Sequence, residues 1–197
     1  MGTSTRGRRD VLIIHPYGFI TELDNSGSAG SKAQIERARE LIRHHKVAEN
    51  CVMVFPQGYY PHRPESLGEN MVRYIRSLSE FKNVYVLQSP CSRGTATDTI
   101  AAYDMVEKDG IDRSLMFHFV TDPVHMRRVR LIWFLTHPRY RGWQATFHPA
   151  YGHQMTARER NLREPLARVK DAVRLLPVFV KRLIGRWFHP SNTTTPR

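Results

Sequence analysis

The sequence predicts an α/β protein: a three-layer, doubly wound fold around a mainly parallel sheet of about five strands, with a basic C-terminal helical extension. Three observations carry this expectation. Short, continuously apolar, β-rich runs alternate with helix-length segments over residues 10–150. A strand covered on both faces reads as an unbroken apolar run, and helix-length spacers are what crossovers between parallel strands require. Beyond about Met155 the pattern changes to a long, basic, amphipathic one.

The elements follow in order. DVLIIH (10–15), CVMVF (51–55), NVYVLQ (83–88) and SLMFHFV (114–120) are the strands, and WQATFH (143–148) is a weaker fifth. Helical patterns fill the gaps at 31–45, 65–81, 97–110 and 123–136. In the first, Ile35, Ala38, Leu41 and Ile42 share one face; in the third, Ile100, Ala101, Tyr103, Met105 and Val106 make a broader one. Thr156-Ala-Arg-Glu159 resembles a capping box. After it, Leu162, Leu166, Val169, Val173 and Leu176 line one side of a helix expected to pack that face on the core. Pro165 interrupts this helix early, and Pro177 should kink or break it. The predicted organisation is a flexible N-terminus (1–9), an α/β domain (10–154), a basic amphipathic extension packed on or beside it (155–188) and a disordered tail (189–197). No internal repeat is visible.

A chain of 197 residues, 41% hydrophobic and 24% charged, fits one ordinary globular domain. Its apolar runs fall far short of the roughly 18 residues of a membrane span. No secretory signal is readable, and MGTSTR matches a myristoylation pattern only loosely, a flexible start being the simpler reading. Cys51 reads as a buried core thiol and Cys91 as a loop thiol, with no disulfide framework, so a cytoplasmic location is expected. The net charge of +12 is uneven. Residues 1–125 hold 15 Lys/Arg and 15 Asp/Glu, whereas residues 126–197 hold 15 against 3. The basic third attracts phosphates, acidic proteins, anionic membranes or nucleic acid.

Ligands in doubly wound sheets bind beyond the carboxyl ends of the strands. That rule singles out the loops HPYGF, PQGYYPHR, SPCSRGTATD, TDPVHMRR and HPAYGHQ. In TDPVHMRR, Asp122 caps a helix with Pro123 at its first position. His125 then lies at the third position and Arg128 one turn on, on the same face. The helix start and a guanidinium suit an anion, and an imidazole moves protons near neutral pH. Equally, the arginines could be solvated and His125 a mere cap. In SPCSRGTATD, Ser92, Arg93, Thr95 and Thr97 suit a phosphate, although Thr95 or Thr97 could serve only as an N-cap. No Gly-Lys-Ser/Thr end follows, which excludes a P-loop nucleoside triphosphatase. No G-x-G-x-x-G follows the first strand, which excludes the dinucleotide fingerprint. His15 and Gly18 can approach a ligand there, or His15 can pack. His148 and His153 lack zinc-site spacing, and no metal is assigned.

Together the third and fourth loops resemble the YdcF/SanA/ElyC-like family, a bacterial domain long of unknown function. The family's Val-Thr-x-x-x-His-Met-x-Arg-Ala type segment matches Val120, Thr121, His125, Met126 and Arg128. Its Ser-x-Asn-Thr-x-Glu-Asn-Ala type segment keeps Ser92 and Thr95, with Gly94 for asparagine and Thr97-Asp98 for Glu-Asn. Arg37 and Glu69 match weaker elements, and His15-Pro-Tyr-Gly replaces a glycine-rich first loop. The resemblance covers roughly residues 10–150. It implies a Rossmann-like fold, a ligand site at the carboxyl edge and a divergent, unanchored member with a specialised biosynthetic role.

The function expected is a small cytoplasmic enzyme, a transferase or hydrolase, acting at a phosphoryl or glycosyl centre of a phosphorylated or nucleotide-like substrate. His125 is the general acid or base, with Asp98 or Asp122 as partner. Ser92, Arg93, Thr95, Thr97, Thr121, Arg128, His15, Gly18 and Glu69 surround the anion. The alternative is a non-catalytic protein holding a nucleotide or S-adenosylmethionine-like ligand, no other cofactor being assigned. A further alternative is an envelope-associated protein whose C-terminal helix meets a membrane surface or a partner protein. Nucleic acid is disfavoured, because no recognised motif accompanies the charge.

Overall fold

A computed structural model describes residues 9–15, 28–48, 51–55, 64–81, 85–88, 95–108, 115–137, 142–152, 162 and 164–188. Five strands, β1 (Arg9–Ile14), β2 (Val52–Phe55), β3 (Tyr85–Gln88), β4 (Leu115–Thr121) and β5 (Gln144–Pro149), form one sheet in the order β3-β2-β1-β4-β5. Every pairing is parallel, with Ile13 opposite Val54 on one side and Phe119 on the other. The unbroken apolar runs have the cause proposed for them: β1, β2 and β4 lie inside the sheet and are covered on both faces.

Five helices accompany the strands: α1 (Ser28–Arg43), α2 (Leu67–Arg76), α3 (Thr95–Lys108), α4 (Pro123–Thr136) and α5 (Glu164–Phe188). On one face Ile35, Ala38 and Leu41 of α1 and Met71, Val72 and Ile75 of α2 cover Leu12, Ile14, Met53 and Val120. On the other, Ala102, Tyr103 and Val106 of α3 and Val129 and Trp133 of α4 cover Val11, Ile13, Val54, Phe117 and Phe119. Helices on both faces of a parallel sheet make the doubly wound α/β fold. The strand order reverses between β1 and β4, so the crevice at the carboxyl ends of these two strands is the topological switch point.

Several boundaries differ from expectation for local reasons. α1 stops at Arg43 because His45 takes a left-handed conformation, φ 52°. There the amide of His45 bonds to the carbonyl of Ile42 and that of Lys46 to Leu41, satisfying the helix's last carbonyls. α2 starts later than expected because Ser66 and Glu69 close a capping box. It ends at Arg76, and Ser79–Phe81 is a separate 3-10 turn. α3 starts at Thr95, so Thr95 is a helical residue rather than the cap. α4 matches its expected range, with the Asp122 side chain accepting the amide of Val124 at 2.8 Å and Pro123 in the first turn.

The extension departs furthest. Pro177 lies inside α5 without ending it. The helix packs on the α3/α4 layer through Leu175, which meets Ala96 and Ile132. Its expected core face does not pack inward: Leu162, Leu166, Val169, Val173 and Leu176 are all exposed. The inward face instead carries Glu164 and Asp171, both buried, because α4 presents His125 and Arg128 to them. The expected N-terminal segment contributes Arg9 to β1. Residues 1–8, the tail 189–197 and the expected capping box at Thr156–Glu159 lie outside the described residues.

Candidate functional site

Five elements converge at the switch point. β1 ends at Ile14, and the amide of His15 continues the ladder to the carbonyl of Val120 on β4 at 3.3 Å. β4 ends at Thr121, Asp122 turns the chain, and α4 begins beneath it. α3 begins at Thr95, and α5 begins at Glu164. Three helix N-termini therefore gather here, each with amides that helical bonds leave unpaired.

His125 is the hub. Its Nδ1 lies 3.4 Å from Oε1 of Glu164, and its Nε2 lies 3.4 Å from the hydroxyl of Thr95. The His15 ring stands edge-on to it, with centroids 6.0 Å apart, and stacks on Phe119 on its other side. Arg128, one turn along α4, donates from Nε to Oδ2 of Asp171 at 2.5 Å. A carboxylate, an imidazole and a hydroxyl thus stand in line, with a guanidinium beside them.

The electrostatics follow from burial and neighbours. Burial pushes His15 down to about 3, helped by the charges of His125 and Arg128, so the ring is neutral at physiological pH. Burial works to raise the Glu164 pKa. The hydrogen bond and charge of His125, with Arg128 and Arg168, outweigh it and hold the carboxyl below its ordinary value. Glu164 is therefore an anion next to His125. Three polar atoms around this point are buried with no hydrogen-bond partner: His15 Nε2, Thr121 Oγ1 and Glu164 Oε2. Such groups cost free energy unless something pairs with them.

The expected site residues divide clearly. His15, Thr95 and His125 come together, with Thr121 at the end of β4 and Arg128 engaged by Asp171. Asp122 is buried and spends its carboxylate on capping α4, so the carboxylate that faces His125 is Glu164. Thr97 is exposed on α3, and Asp98 lies in the same helix. Glu69 is exposed and accepts the amide of Ser66 at 2.7 Å, which depresses its pKa; no described contact joins it to His125. Arg37 pairs with Glu40 at 2.6 Å on the surface of α1. Arg130 is exposed and lies over the Phe147 ring at 5.3 Å. Gly18, Ser92 and Arg93 lie outside the described residues, as do Cys91 and His153.

Glu164 and Asp171 were not anticipated, although a signal for them exists. They are the only acidic residues in α5, and seven positions apart they share a helix face. His125 and Arg128, three apart on α4, present the matching pair.

A second polar cluster lies on the opposite face of the sheet. His118 Nδ1 and His148 Nε2 are 3.2 Å apart, and the Thr146 hydroxyl lies 2.8 and 2.9 Å from them. Asp10 approaches Nε2 of His118 at 3.3 Å and accepts the amide of Ala48. Burial, His118, Arg37 and Lys46 push His148 down to about 4. Among the described residues, no group of three or more His, Cys, Asp or Glu is placed to hold a metal ion. Cys51 is fully buried, and burial with the nearby Asp10 carboxylate pushes its thiol up to about 12, which leaves it inert. No helix among the described residues is long and apolar enough to cross a membrane.

Comparison of the chain with family models, curated proteins and solved structures finds no match.

Proposed function

We propose that this protein is a cytoplasmic transferase or hydrolase acting at a phosphoryl or glycosyl centre of a phosphorylated or nucleotide-like substrate. The observation that carries the proposal is the placement of His125 between Glu164 and Thr95 at the switch-point crevice. In this reading Glu164 holds the Nδ1 proton and orients the ring, and Nε2 exchanges a proton with the substrate or with the Thr95 hydroxyl. A carboxylate behind the imidazole stabilises the cation that forms during transfer.

The substrate anion lies against the starts of α3 and α4. The contact of Arg128 with Asp171 uses Nε, and the two terminal nitrogens of the guanidinium are assigned to the anion. His15 Nε2 and the Thr121 hydroxyl are the buried polar groups that a bound substrate would pair. Membership of the YdcF/SanA/ElyC-like family belongs to the same proposal, since Thr121, His125 and Arg128 of its fourth-loop motif all border this crevice.

The test compares wild-type protein with His125→Ala, Glu164→Gln and Arg128→Ala on phosphate monoesters, nucleotides and nucleotide sugars. Turnover that collapses with His125→Ala, while the ligand still binds, supports the assignment. Full turnover by both His125→Ala and Glu164→Gln removes it. The unpaired buried groups also suit a non-catalytic nucleotide or S-adenosylmethionine-like ligand. Recovery of such a ligand unchanged after prolonged incubation would favour that second reading.

A further inference from the structure

Five apolar side chains point to solvent along the outer side of the C-terminal helix. Leu166, Val169, Val173, Leu176 and Val180 are each between 43 and 67% exposed. Their positions advance by alternating steps of three and four residues, so they form one stripe about 21 Å long. Scattered surface apolar residues need no explanation, but a contiguous stripe on one helix face does.

The charges beside the stripe choose its occupant. α5 contains two acidic residues, Glu164 and Asp171, and both are buried and engaged with His125 and Arg128. Lys170 and Arg174, by contrast, are exposed, and Arg168 is half-buried. The outward side of α5 is therefore apolar with basic flanks and no exposed acid among its described residues. Two copies meeting stripe to stripe would bring basic flanks together with no opposing charge. Pro177 also removes a backbone donor in mid-helix, which disturbs an interdigitated two-helix seam more than one-sided contact with a fluid surface.

The geometry points to a lipid surface as the occupant: α5 lies in the interface of an anionic bilayer, with its stripe in the headgroup–acyl boundary and its basic flanks on the phosphates. This arrangement needs no spanning helix. It is independent of the chemistry assigned to His125, although Glu164 and Asp171 on the inner side of α5 would hold the crevice close to the bilayer.

The experiment is flotation of the full chain with vesicles. One set is phosphatidylcholine alone, and in the other phosphatidylglycerol supplies about a third of the lipid. The wild type is expected to float at least about tenfold more strongly with the anionic set and to dissociate as salt rises. Val173→Glu and the milder Val173→Ser should each weaken flotation, the first by about tenfold, without lowering the melting temperature. Lys170→Glu and Arg174→Glu should each cost about fivefold with anionic vesicles and little with neutral ones. Absence of flotation with either set overturns the proposal, as does unchanged flotation of both Val173 variants. A stable dimer in sedimentation velocity that Val173→Glu dissociates, without vesicle binding, assigns the stripe to a second copy instead.

Discussion

Glu164 Oε1 and His125 Nδ1 face each other at 3.4 Å across the junction of α5 and α4, although 39 residues separate them in sequence. The pairing makes the C-terminal helix part of the candidate site rather than an appendage. Glu164→Gln keeps the shape but removes the anion, and turnover by the proposed enzyme should fall about a hundredfold with little change in ligand affinity. The variant also has a pH signature. The folded carboxyl lies below its ordinary 4.5, so Glu164 contributes stability above that value and loses it as pH falls through the folded pKa. The stability gap between wild type and Glu164→Gln should therefore narrow towards acid in urea titrations. A constant gap would show that the carboxylate does not interact with its neighbours as placed.

Arg128 and Asp171 form a largely buried ion pair, and such a pair is costly to break and cheap to replace. Asp171→Ala should destabilise by about 3–5 kcal/mol, because it leaves a guanidinium buried without its partner. The double change Arg128→Met, Asp171→Leu should recover most of that loss while abolishing anion binding. A double-mutant cycle in urea gives the coupling, and strict additivity of the two single changes would mean that the pair does not hold α5 to α4.

The sheet was legible because its physics is local. Apolar runs such as VLII and FHFV report burial on both faces, and Asp122-Pro123 carries a helix start in two residues. The strand alternation pointed to the carboxyl edge of the sheet, where His15, Thr95 and His125 come together, whereas the switch point follows only from the strand order. The partners of His125 and Arg128 were less legible because they come from an element beyond the α/β domain. A helix pattern gives which residues share a face but not which face turns inward. Hydrophobicity alone favoured burying Leu166, Val169 and Val173, whereas pairing Glu164 and Asp171 with α4 turned the helix the other way. Likewise His45 was counted into α1, since a left-handed cap at a histidine leaves little trace in composition.

Acid should unfold this protein partly through two histidines held neutral. Burial sets His15 at about 3 and, with His118 and nearby cations, His148 at about 4, against 6.5 when unfolded. Below pH 6.5 the unfolded chain takes up protons that the folded chain refuses, so stability is full above that value and falls as pH drops towards the folded pKa values. The slope is at most about 1.4 kcal/mol per pH unit for each histidine. His15→Phe, which keeps the stack on Phe119, should flatten the fall between pH 6.5 and 3. Equal slopes for wild type and variant would mean that His15 is protonated in the fold.

Phe117 anchors the sheet face beneath α3 and α4. It is fully buried, and its ring centroid lies 4.9 Å from that of Trp143, 5.4 Å from Trp133 and 5.5 Å from Tyr103. Phe117→Ala deletes a large side chain that this rigid aromatic surround cannot close over. The loss should reach about 3–5 kcal/mol, the transfer cost and the cavity adding together. Phe117→Leu should cost clearly less, because it leaves a smaller void. No described hydrogen bond or ring contact joins Phe117 to Glu164, His125 or Thr95, so protein that remains folded should keep its ligand affinity. Calorimetry of the two variants, paired with ligand titration, separates these effects. A small loss for Phe117→Ala would mean that α4 settles into the space, and the His125 geometry should then shift with it.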